Sequence, residues 1–491
     1  MRRLKLIQVL VILTCLAIIV RLFYWQFLAG IEKRTLQSFA EDEIPAPRGD
    51  ILASDNFPLA TNQEAYLIFA TPKNLKDNPR DISRKLAPIL ITDKPATGSA
   101  FGLEGFYNST VKGKPGKQNS SVDPQGVPIM TGKFSALSPK KGSTLITSID
   151  RTIQFIAELK IKEAVEKYGA KDGTVIISDP KNGHVLAMAT YPNYNPAFFG
   201  LYDQKLYKNL AVADNYEPGS TFKLVTMSAA MDLNLVTPQT KCDVCTGPRK
   251  VGGYEISTWN NKYYPDSTMT EVIEHSDNVG MTFVAGKLGV DKFVNYINKF
   301  GFGKKTGIDL EEETTGSIHD KRDWREIDLA TGSFGQGLTV TPIQIVQAVQ
   351  AIANGGQMFP PRLVQSVVDG GKTDSVKPPA AVQIISPQSA TQMTEMMVNA
   401  VDHGEAQFFK PKGYRIAGKT GTAQIPVAGH YDPNKTIASF VGFAPAQNPK
   451  FVMLVRFTEP TASTFGAETA APTFFAIAKE LFNYYGISPS E

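Results

Sequence analysis

The sequence predicts an α+β fold preceded by a membrane anchor, and three observations carry this prediction. The chain of 491 residues opens with an apolar run that basic residues precede. Its later part mixes helix-period segments with pairs of strand-like segments joined by short turns, a pattern typical of an antiparallel sheet packed with helices. Hydrophobic residues make up 42% of the chain and charged residues 20%, which indicates a globular rather than a disordered protein.

Residues 1–30 are predicted to form a cytoplasmic tail and a transmembrane anchor. Three basic residues precede the uncharged run 6–20, and the aromatic group 23–25 follows it as an interfacial belt. No A-x-A cleavage site stands directly after the run, which favours an uncleaved anchor over a signal peptide. Because the basic residues come first, we expect the N-terminus in the cytoplasm and the chain after about residue 30 outside it.

Residues 31–141 are predicted to form a small, loop-rich membrane-proximal module with few helices. Gly, Pro, Ser and Lys are frequent in this part of the chain, and helical periodicity is scarce. The pattern changes at residue 142, which we take as the start of the main domain, 142–491. There the β-rich run 144–149 leads into a segment with apolar residues at helical spacing, namely Ile153, Ile156, Ala157 and Ile161.

The main domain shows further strand pairs and helices in sequence. Residues 173–192 read as two strands joined by a turn at 180–183, and residues 435–457 read as another pair. Residues 341–355 between them are predicted to form an amphipathic helix that ends at Gly355. Helices that alternate with strand pairs predict an antiparallel sheet covered by helices.

Charge and cysteine content exclude several classes of partner. Lys and Arg total 51 against 47 Asp and Glu, a formal net charge of +4, and no stretch combines clustered basic residues with interleaved aromatics. We therefore expect no nucleic-acid partner. Cys242 and Cys245 form a C-x-x-C pair without the second Cys/His pair that a zinc site needs. A local disulfide and two free thiols both remain open, and we expect no metal and no cofactor.

The strongest chemical signal surrounds Ser220. A Pro-Gly turn places Ser220 at the start of a helix that is apolar on nearly every face over 222–233, which indicates burial. Lys223 follows three residues later on the same face. Burial and the positive end of the helix both lower the pKa of a lysine, so Lys223 could take the proton of the Ser220 hydroxyl as a neutral base. The alternative is a capping serine beside a surface lysine.

A second signal is the tripeptide Ser276-Asp277-Asn278 before an apolar run. Its hydroxyl could pass on a proton, and its amide could hold a peptide carbonyl. Taken alone, however, the tripeptide is typical of a helix N-terminus, where such side chains cap free backbone N–H groups.

The third signal has two incompatible interpretations. Residues 413–420 fit G-x-x-x-x-G-K-[ST], the spacing of a phosphate-binding P-loop. A P-loop opens a helix, but Gly421 and a proline shortly after it oppose one. As an edge strand, the segment offers glycines that let a substrate backbone approach. Lys419 then supplies positive charge for a substrate carboxylate, and Thr420 and Thr422 supply hydroxyl groups.

The three signals occur in the order S-x-x-K, S-D-N and K-T-G, beginning at Ser220, Ser276 and Lys419. The ordered set is that of penicillin-interacting serine enzymes. From the anchor to the C-terminus the chain resembles a class B penicillin-binding protein, a monofunctional peptidoglycan transpeptidase, of the division-type branch. The segments PRGDILASDNFPLA, GLEGFYN and FGQGLTVTPIQ add to the resemblance.

The resemblance implies a role for each motif residue. Ser220 would be the acylated nucleophile and Lys223 its general base. Lys419 would bind substrate and assist proton transfer. The implied catalytic residues are Ser220, Lys223, Ser276, Asn278 and Lys419. The implied substrate-binding residues are Thr420, Gly421 and Thr422. The backbone N–H groups of Ser220 and Thr422 would form the oxyanion hole.

The resemblance also implies substrates, partners and location. The substrates would be peptidoglycan stem peptides ending in D-Ala-D-Ala, and β-lactam antibiotics would acylate the same serine. A membrane glycan polymerase and division proteins would be partners in septal cell-wall synthesis. The protein would cross the bacterial cytoplasmic (inner) membrane once, with its catalytic domain outside. The short module 31–141 leaves no room for a glycosyltransferase domain.

Three other functions share parts of this pattern. A β-lactamase would add a Glu in an E-x-x-L-N segment, and Glu326 and Leu329 fit it, but Ala330 replaces the Asn. We therefore interpret Glu326 as a structural or surface residue. A penicillin sensor would need a cytoplasmic output module, whereas about five residues precede the anchor. An NTPase is opposed by the context of the glycine motif and by the expected compartment.

Overall fold

A computed structural model of the protein describes residues 2–28, 39–62, 78–86, 101–121, 134–377, 379–427 and 430–489. Contacts group the chain into two compact units. The smaller unit comprises Met1–Gly49 with Ser109–Ser143, and the larger comprises Asp50–Asn108 with Thr144–Glu491. The domain limits proposed from the sequence, after residues 30 and 141, stay a prediction.

The elements are numbered in chain order. The α-helices are α1 (Arg2–Phe23), α2 (Pro79–Leu86), α3 (Gly102–Phe106), α4 (Asn108–Val111), α5 (Arg151–Tyr168), α6 (Leu210–Ala213), α7 (Lys223–Asp232), α8 (Met269–Glu274), α9 (Asn278–Lys299), α10 (Glu326–Gly332), α11 (Pro342–Ala353), α12 (Pro387–His403) and α13 (Ala470–Tyr484). The strands are β1 (Phe39–Ile44), β2 (Ile51–Leu52), β3 (Pro58–Ala60), β4 (Gly116–Ser121), β5 (Phe134–Leu137), β6 (Thr144–Thr147), β7 (Asp172–Ser178), β8 (Val185–Tyr191), β9 (Arg249–Val251), β10 (Tyr254–Ile256), β11 (Gln357–Met358), β12 (Val364–Asp369), β13 (Lys372–Ser375), β14 (Val382–Gln383), β15 (Ala417–Val427), β16 (His430–Ala444) and β17 (Phe451–Thr458).

The predicted N-terminal helix is confirmed. Helix α1 runs over 22 residues, and a π-helical turn, Tyr24–Leu28, continues it. At about 1.5 Å per residue, α1 alone is about 33 Å long, enough for a hydrocarbon core of about 30 Å. The stretch Ile7–Phe27 is long and apolar enough to cross a membrane, and none of it is buried inside the protein. The smaller unit also holds a three-stranded antiparallel sheet in the order β1-β4-β5.

The larger unit is built on a five-stranded antiparallel sheet in the order β15-β16-β17-β7-β8. Successive residues of β7 pack on opposite faces: Ile176 joins one apolar cluster, whereas Val175 and Ile177 join the other. Helices α7, α9, α11 and α12 contribute to the first cluster, and α5 and α13 to the second. Since both faces are covered, all eight residues of β17 are buried. The predicted α+β fold is confirmed.

Local sequence signals explain where the elements begin and end. The two predicted strand pairs are the antiparallel pairs β7–β8 and β16–β17. Asp150 caps the start of α5 through its side chain, and Gly169 ends the helix in the left-handed conformation. Three of the four apolar residues that predicted α5 are buried, namely Ile153, Ala157 and Ile161, and Ile156 packs partly buried beside them. Helical periodicity was therefore sufficient to predict this helix and its inner face.

Helix α11 differs from its prediction. The sequence predicts an amphipathic helix, but every residue from Pro342 to Ile352 is buried. The polar residues of the segment are glutamines whose amide groups donate to backbone carbonyls of neighbouring loops: Gln344 to Lys304 and Thr315, Gln347 to Phe359, and Gln350 to Pro180. These hydrogen bonds offset the desolvation of the amides, so the helix lies wholly inside the fold.

Candidate active site

The chain turns sharply before the buried helix α7, and Ser220 lies in this turn. The 3-10 turn Gly219–Phe222 leads directly into α7, whose residues from Lys223 to Met231 are all buried. Gly219 has a φ of +54° and donates its N–H to the carbonyl of Gly335 at 3.0 Å. A glycine suits this position because left-handed backbone costs other residues about 1 kcal/mol or more. The predicted serine at the head of a buried helix is confirmed.

Lys223 lies one turn after Ser220 and is fully buried, which excludes the surface-lysine alternative. Its ammonium nitrogen lies 2.6 Å from the backbone oxygen of Ser276, 2.8 Å from Asn278 Oδ1 and 3.3 Å from Ser276 Oγ. Burial lowers the pKa of Lys223 well below its usual value, and the charge of nearby Lys419 lowers it further. The geometry and the pKa together fit a lysine that is neutral and can accept a proton.

The Ser-Asp-Asn motif caps a helix, as its sequence suggested, and also contacts Lys223, whereas its part in proton transfer stays a prediction. Asp277 caps helix α9 through Oδ1, which accepts from the N–H groups of Val279 and Gly280. Ser276 precedes it with a φ of +54°, a left-handed conformation that costs a serine about 1 kcal/mol. Asn278 donates through Nδ2 to the carbonyl of Ser257 at 3.2 Å, which fixes its amide with Oδ1 toward Lys223.

The segment with the ambiguous glycine motif is a strand. Strand β15 covers residues Ala417 to Val427 at the edge of the main sheet and, among the described strands, pairs with β16 alone. A P-loop would open a helix after Thr420, so the phosphate-loop interpretation is wrong and the strand interpretation is confirmed. Lys419 on this strand is 3% exposed, and burial lowers its pKa to about 8 although Glu405 acts in the opposite direction.

The hydroxyl of Ser276 connects the two buried lysines. Lys419 Nζ donates to Ser276 Oγ at 3.0 Å, and Lys223 Nζ lies 3.3 Å from the same oxygen. Lys419 also donates to Thr420 Oγ1 and to the Thr420 carbonyl, each at 3.1 Å. Three segments that are far apart in the sequence are therefore joined in one hydrogen-bonded chain beside Ser220.

The glycines of β15 serve packing, which corrects the reason given for them from the sequence. A Cβ on Gly421 would lie 2.5 Å from Ser439 Oγ and 2.8 Å from Thr221 Cγ2. A Cβ on Gly418 would lie 2.5 Å from the ring of Phe440. The space beside both residues is filled by the protein itself, so the absent side chains let β15 lie close to the turn of Ser220 and to the core.

The remaining predicted residues lie along the same strand. Thr420 donates through Oγ1 to Glu405 Oε2 at 3.3 Å, and Thr422 Oγ1 accepts from the N–H of Gly466 at 3.0 Å. The carbonyl oxygen of Thr422 would lie 3.1 Å from a Cβ on Gly219, so the strand runs close to the turn that carries Ser220. The oxyanion hole of Ser220 and Thr422 N–H groups stays a prediction.

These side chains face a cleft of about 310 Å³. Five of the eight predicted site residues line it, namely Ser220, Ser276, Asn278, Thr420 and Thr422. Lys223 and Lys419 lie buried behind Ser276, and Gly421 lies in the packed strand. Sequence reasoning missed further wall residues, among them Trp259, Phe334, Gln336, Glu405 and Phe465. Trp259 and Phe465 lie in polar loops. An aromatic residue in such a loop was the sequence signal that could have marked them as wall residues of the cleft.

Two smaller questions from the sequence are also answered. Cys242 and Cys245, both fully buried, form a disulfide, so the free-thiol alternative is excluded. Glu326 is exposed at the start of α10 and is not among the residues that line the cleft. This position agrees with the interpretation of Glu326 as a surface residue.

Two family models match the chain. A model of the penicillin binding protein transpeptidase domain matches residues 173–481, and a model of the penicillin-binding protein dimerisation domain matches residues 43–101. The first match includes every residue of the site described above. It also includes the five strands of the main sheet, apart from Asp172, the first residue of β7.

Known relatives are similar to this chain over most of its length. Stage V sporulation protein D of Bacillus subtilis is 31% identical over 99% of this chain and 86% of its own length. The probable peptidoglycan D,D-transpeptidase PenA of Neisseria meningitidis is 31% identical over 79% of this chain and 65% of its own length. The probable peptidoglycan D,D-transpeptidase PbpC of Pseudomonas aeruginosa is 28% identical over 99% of this chain and 96% of its own length.

Solved structures share the fold. Penicillin binding protein 3 of Mycobacterium tuberculosis, crystallised with aztreonam, superposes with a TM-score of 0.77 at 28% identity, over 92% of this chain and 98% of that one. The transpeptidase domain of Burkholderia pseudomallei penicillin-binding protein 3 superposes with a TM-score of 0.62 at 32% identity, over 70% of this chain and 97% of that one.

Proposed function

The chain belongs to the penicillin-binding protein transpeptidase family, and we propose that it cross-links peptidoglycan through an acyl-enzyme on Ser220. It is a serine-type D,D-transpeptidase, and its substrates are stem peptides that end in D-Ala-D-Ala. One observation supports the assignment of roles above the others. The buried chain Lys223–Ser276–Lys419 stands beside a serine at the head of a buried helix.

Acylation needs a base for the hydroxyl of Ser220, and Lys223 is suited to this role. As a neutral amine Lys223 has two N–H groups, and its two closest contacts, the Ser276 carbonyl and Asn278 Oδ1, can only accept. Its lone pair then remains for a hydroxyl proton. Ser220 Oγ bonds to the carbonyl carbon of the penultimate D-Ala, and Lys223 takes the hydroxyl proton.

The same groups complete the exchange. The peptide C–N bond breaks, and the proton held by Lys223 passes through the Ser276 hydroxyl to the nitrogen of the leaving D-Ala. Lys419 donates to Ser276 Oγ, which favours this direction of transfer. An amine of a second stem peptide then attacks the ester, its nitrogen bonds to the acyl carbon while the ester bond to Ser220 Oγ breaks, and one proton of the amine passes to Ser220 Oγ.

The edge strand is suited to hold the donor peptide. A substrate strand can add to β15 because only one side of β15 pairs with β16. Lys419, Thr420 and Thr422 offer a cation and two hydroxyl groups to the terminal carboxylate of the donor. The N–H groups of Ser220 and Thr422 form the oxyanion hole of this mechanism, where the loss of one donor costs about 10²–10³ in rate.

Intact-protein mass spectrometry after exposure to benzylpenicillin tests the assignment of the nucleophile. We expect one covalent adduct that peptide mapping assigns to Ser220 and that Ser220→Ala abolishes. Ser228→Ala is the matched control, because Ser228 lies buried on the following helix α7 and lines no part of the cleft. An adduct that survives in Ser220→Ala would refute the assignment.

The lifetime of this adduct separates a transpeptidase from a β-lactamase. Without a base that activates water the penicilloyl ester persists, since general-base help is worth about 10²–10⁴-fold. We expect the adduct to remain for hours after free drug is removed, in the wild type and in Glu326→Gln alike. Clearance within seconds that Glu326→Gln abolishes would favour a β-lactamase.

We further propose that the protein crosses the cytoplasmic (inner) membrane once and keeps its catalytic domain outside. The supporting observations are the apolar stretch Ile7–Phe27 and the basic residues before it. Alkaline phosphatase is active only outside the cytoplasm, so we expect a fusion after Glu491 to be active. An inactive phosphatase fusion together with an active cytoplasmic reporter at the same site would overturn the orientation.

The cellular role that we propose is septal cell-wall synthesis with a membrane glycan polymerase and division proteins. The resemblance to the division-type branch and the similarity to a sporulation protein support it. A fluorescent fusion at the N-terminus should concentrate at division sites. Uniform distribution along the cell envelope would contradict the septal role and leave the transpeptidase activity unaffected.

A further inference from the structure

A second cavity of about 160 Å³ adjoins the catalytic cleft in the larger unit, and we call it the side pocket. Trp259 and Glu405 line both cavities, so the two adjoin at these residues. Other wall residues come from the end of α8 and its cap, Glu274 and His275, immediately before Ser276. The volume is far above the roughly 10–15 Å³ that a single water needs, and it suits one side-chain group rather than a whole peptide.

The side pocket is acidic, whereas the groups behind the cleft are basic. Glu274 and Glu405 belong to the ten described residues that line it, and none of the ten is Lys or Arg. Asn399 donates to Glu274 Oε2 at 2.5 Å, and its Oδ1 lies 2.9 Å from His403 Nδ1. This support fixes Glu274 in the wall. Two carboxylates held at one cavity favour a cationic hydrogen-bond donor as the ligand.

Aromatic side chains complete the wall and point to the same ligand. Phe408 is 85% exposed and Trp259 is 49% exposed, which is much apolar surface to leave in water beside a cleft. Tyr264 stacks on His275 with ring centroids 3.9 Å apart and forms a flat wall. Aromatic faces attract cations and cover alkyl chains. An alkyl chain that ends in an ammonium group satisfies both the aromatic and the acidic parts of the pocket.

We propose that the side pocket binds the side-chain ammonium group of the acceptor stem peptide. The inference rests on the proposed function, in which an amine attacks the acyl-enzyme. The reaction joins a donor with a terminal carboxylate to an acceptor with an amine, and the two adjoining cavities carry the complementary charges. The bound ammonium loses one proton to solvent, and the neutral nitrogen then bonds to the acyl carbon while the ester bond to Ser220 Oγ breaks. The second proton passes to Ser220 Oγ.

Steady-state kinetics on the full-length protein in detergent tests the proposal. The donor is an N-benzoyl-D-alanyl thioester, and the acceptor is an Nα-acetylated lysine amide with a free side-chain ammonium. Glu274→Gln keeps the acceptor oxygen for Asn399 but removes the charge. We expect the KM for the amine to rise about tenfold, while acylation by fluorescent penicillin changes at most about twofold. Glu480→Gln, an exposed position on α13, is the matched control and should change neither.

A second acceptor separates charge recognition from a general structural defect. The alcohol analogue of the acceptor has a hydroxyl in place of the ammonium, so Glu274→Gln should leave its KM within about twofold of the wild type. An unchanged KM for the amine in Glu274→Gln, or an equal rise for amine and alcohol, would overturn the side pocket as the ammonium site. Failure of the wild type to form an acyl-enzyme would instead overturn the proposed function itself.

Discussion

The catalytic cleft and the side pocket adjoin, yet their charged groups differ in sign and in burial. The lysines of the cleft are buried, with Lys223 fully so and Lys419 3% exposed, and burial lowers the pKa of both. The side chain of Glu274 in the side pocket is 16% exposed and keeps contact with water. A buried amine whose pKa is lowered can give and take protons, whereas a carboxylate that is partly exposed is suited to binding a cation. Burial therefore distinguishes the lysines of the cleft, which take part in proton transfer, from the carboxylate of the side pocket, which is suited to binding.

The largest effect is expected from removing the base. Lys223→Ala should lower the acylation rate with fluorescent penicillin about 10³-fold or more, because general-base help is typically worth about 10²–10⁴-fold. Lys223→Met keeps the length of the side chain without its amine and should lose as much activity. Rates are measured from quenched time courses of labelling with fluorescent penicillin, read by gel fluorescence.

The fold must be checked in the same variants. Lys205→Ala is the matched control, since Lys205 is exposed and lines no cavity described here. Circular dichroism should show the same secondary structure in all variants. If Lys223→Met is folded and acylates at the normal rate, burial has not made a base of Lys223 and the contrast between the two cavities is wrong.

The next effect tests whether the cleft depends on the packing of its strand. Gly421→Ala would bring a Cβ to 2.5 Å from Ser439 Oγ and 2.8 Å from Thr221 Cγ2. Since Thr221 follows Ser220, relief of this contact displaces the nucleophile turn. We expect the free energy of unfolding to fall by about 1–3 kcal/mol. The acylation rate should fall about 100-fold, because a displacement of a catalytic group by about 1 Å can cost that much in rate.

Gly247 offers the matched control for this substitution, because a Cβ there meets no atom within 4 Å. Gly247→Ala should keep both stability and the acylation rate near those of the wild type, as measured by thermal unfolding and penicillin labelling. Normal stability and acylation in Gly421→Ala would mean that the strand accommodates the added Cβ and that the cleft does not depend on this packing.

The sequence was most informative where the chemistry is local. Ser220 and Lys223 are one helical turn apart, so spacing alone places them on one face, and the apolar run after them indicates burial. The contact between Lys419 and Ser276 joins residues 143 positions apart. Only the ordered motif set, through its resemblance to a known family, predicted that these residues meet.

Other features depend on tertiary neighbours that no local pattern specifies. The glycines of β15 were rightly placed on an edge strand, but the sequence does not tell which atoms fill the space beside them. Glu405 reaches Thr420 from the loop after α12, and nothing in its own segment marks it. The buried glutamines of α11 read as a polar face because their carbonyl partners lie in distant loops.

The pH dependence of acylation tests the charge state that each of the two buried lysines needs. Lys223 must be neutral to act, so activity is lost as pH falls through its lowered pKa. Lys419 must be charged to hold the substrate carboxylate, so activity is lost as pH rises through its pKa of about 8. We expect a bell-shaped profile whose alkaline side falls up to tenfold per pH unit above about pH 8.

Lys419→Arg identifies the group behind the alkaline side. Arginine stays charged to about pH 12, so the loss above about pH 8 should disappear although the maximum rate is lower. The second-order acylation rate is measured with benzylpenicillin from pH 5 to 10 in both proteins. If the acylation rate of Lys419→Arg still falls above about pH 8, the loss is caused by a group other than Lys419.

The smallest predicted effect concerns Glu405, the carboxylate that both cavities share. Its negative charge raises the pKa of Lys419, so Glu405→Gln should move the alkaline side of the acylation profile to lower pH. Acylation near pH 8 should then fall roughly twofold, the size expected for a partly hydrated charge pair. Glu274→Gln is the matched control, because Glu274 is not among the groups that shift Lys419, and its profile should not move. If both variants shift the profile equally, the two carboxylates of the side pocket both act on the pKa of Lys419. The proposed separation between the lysines that transfer protons and the carboxylates that bind the acceptor would then be wrong.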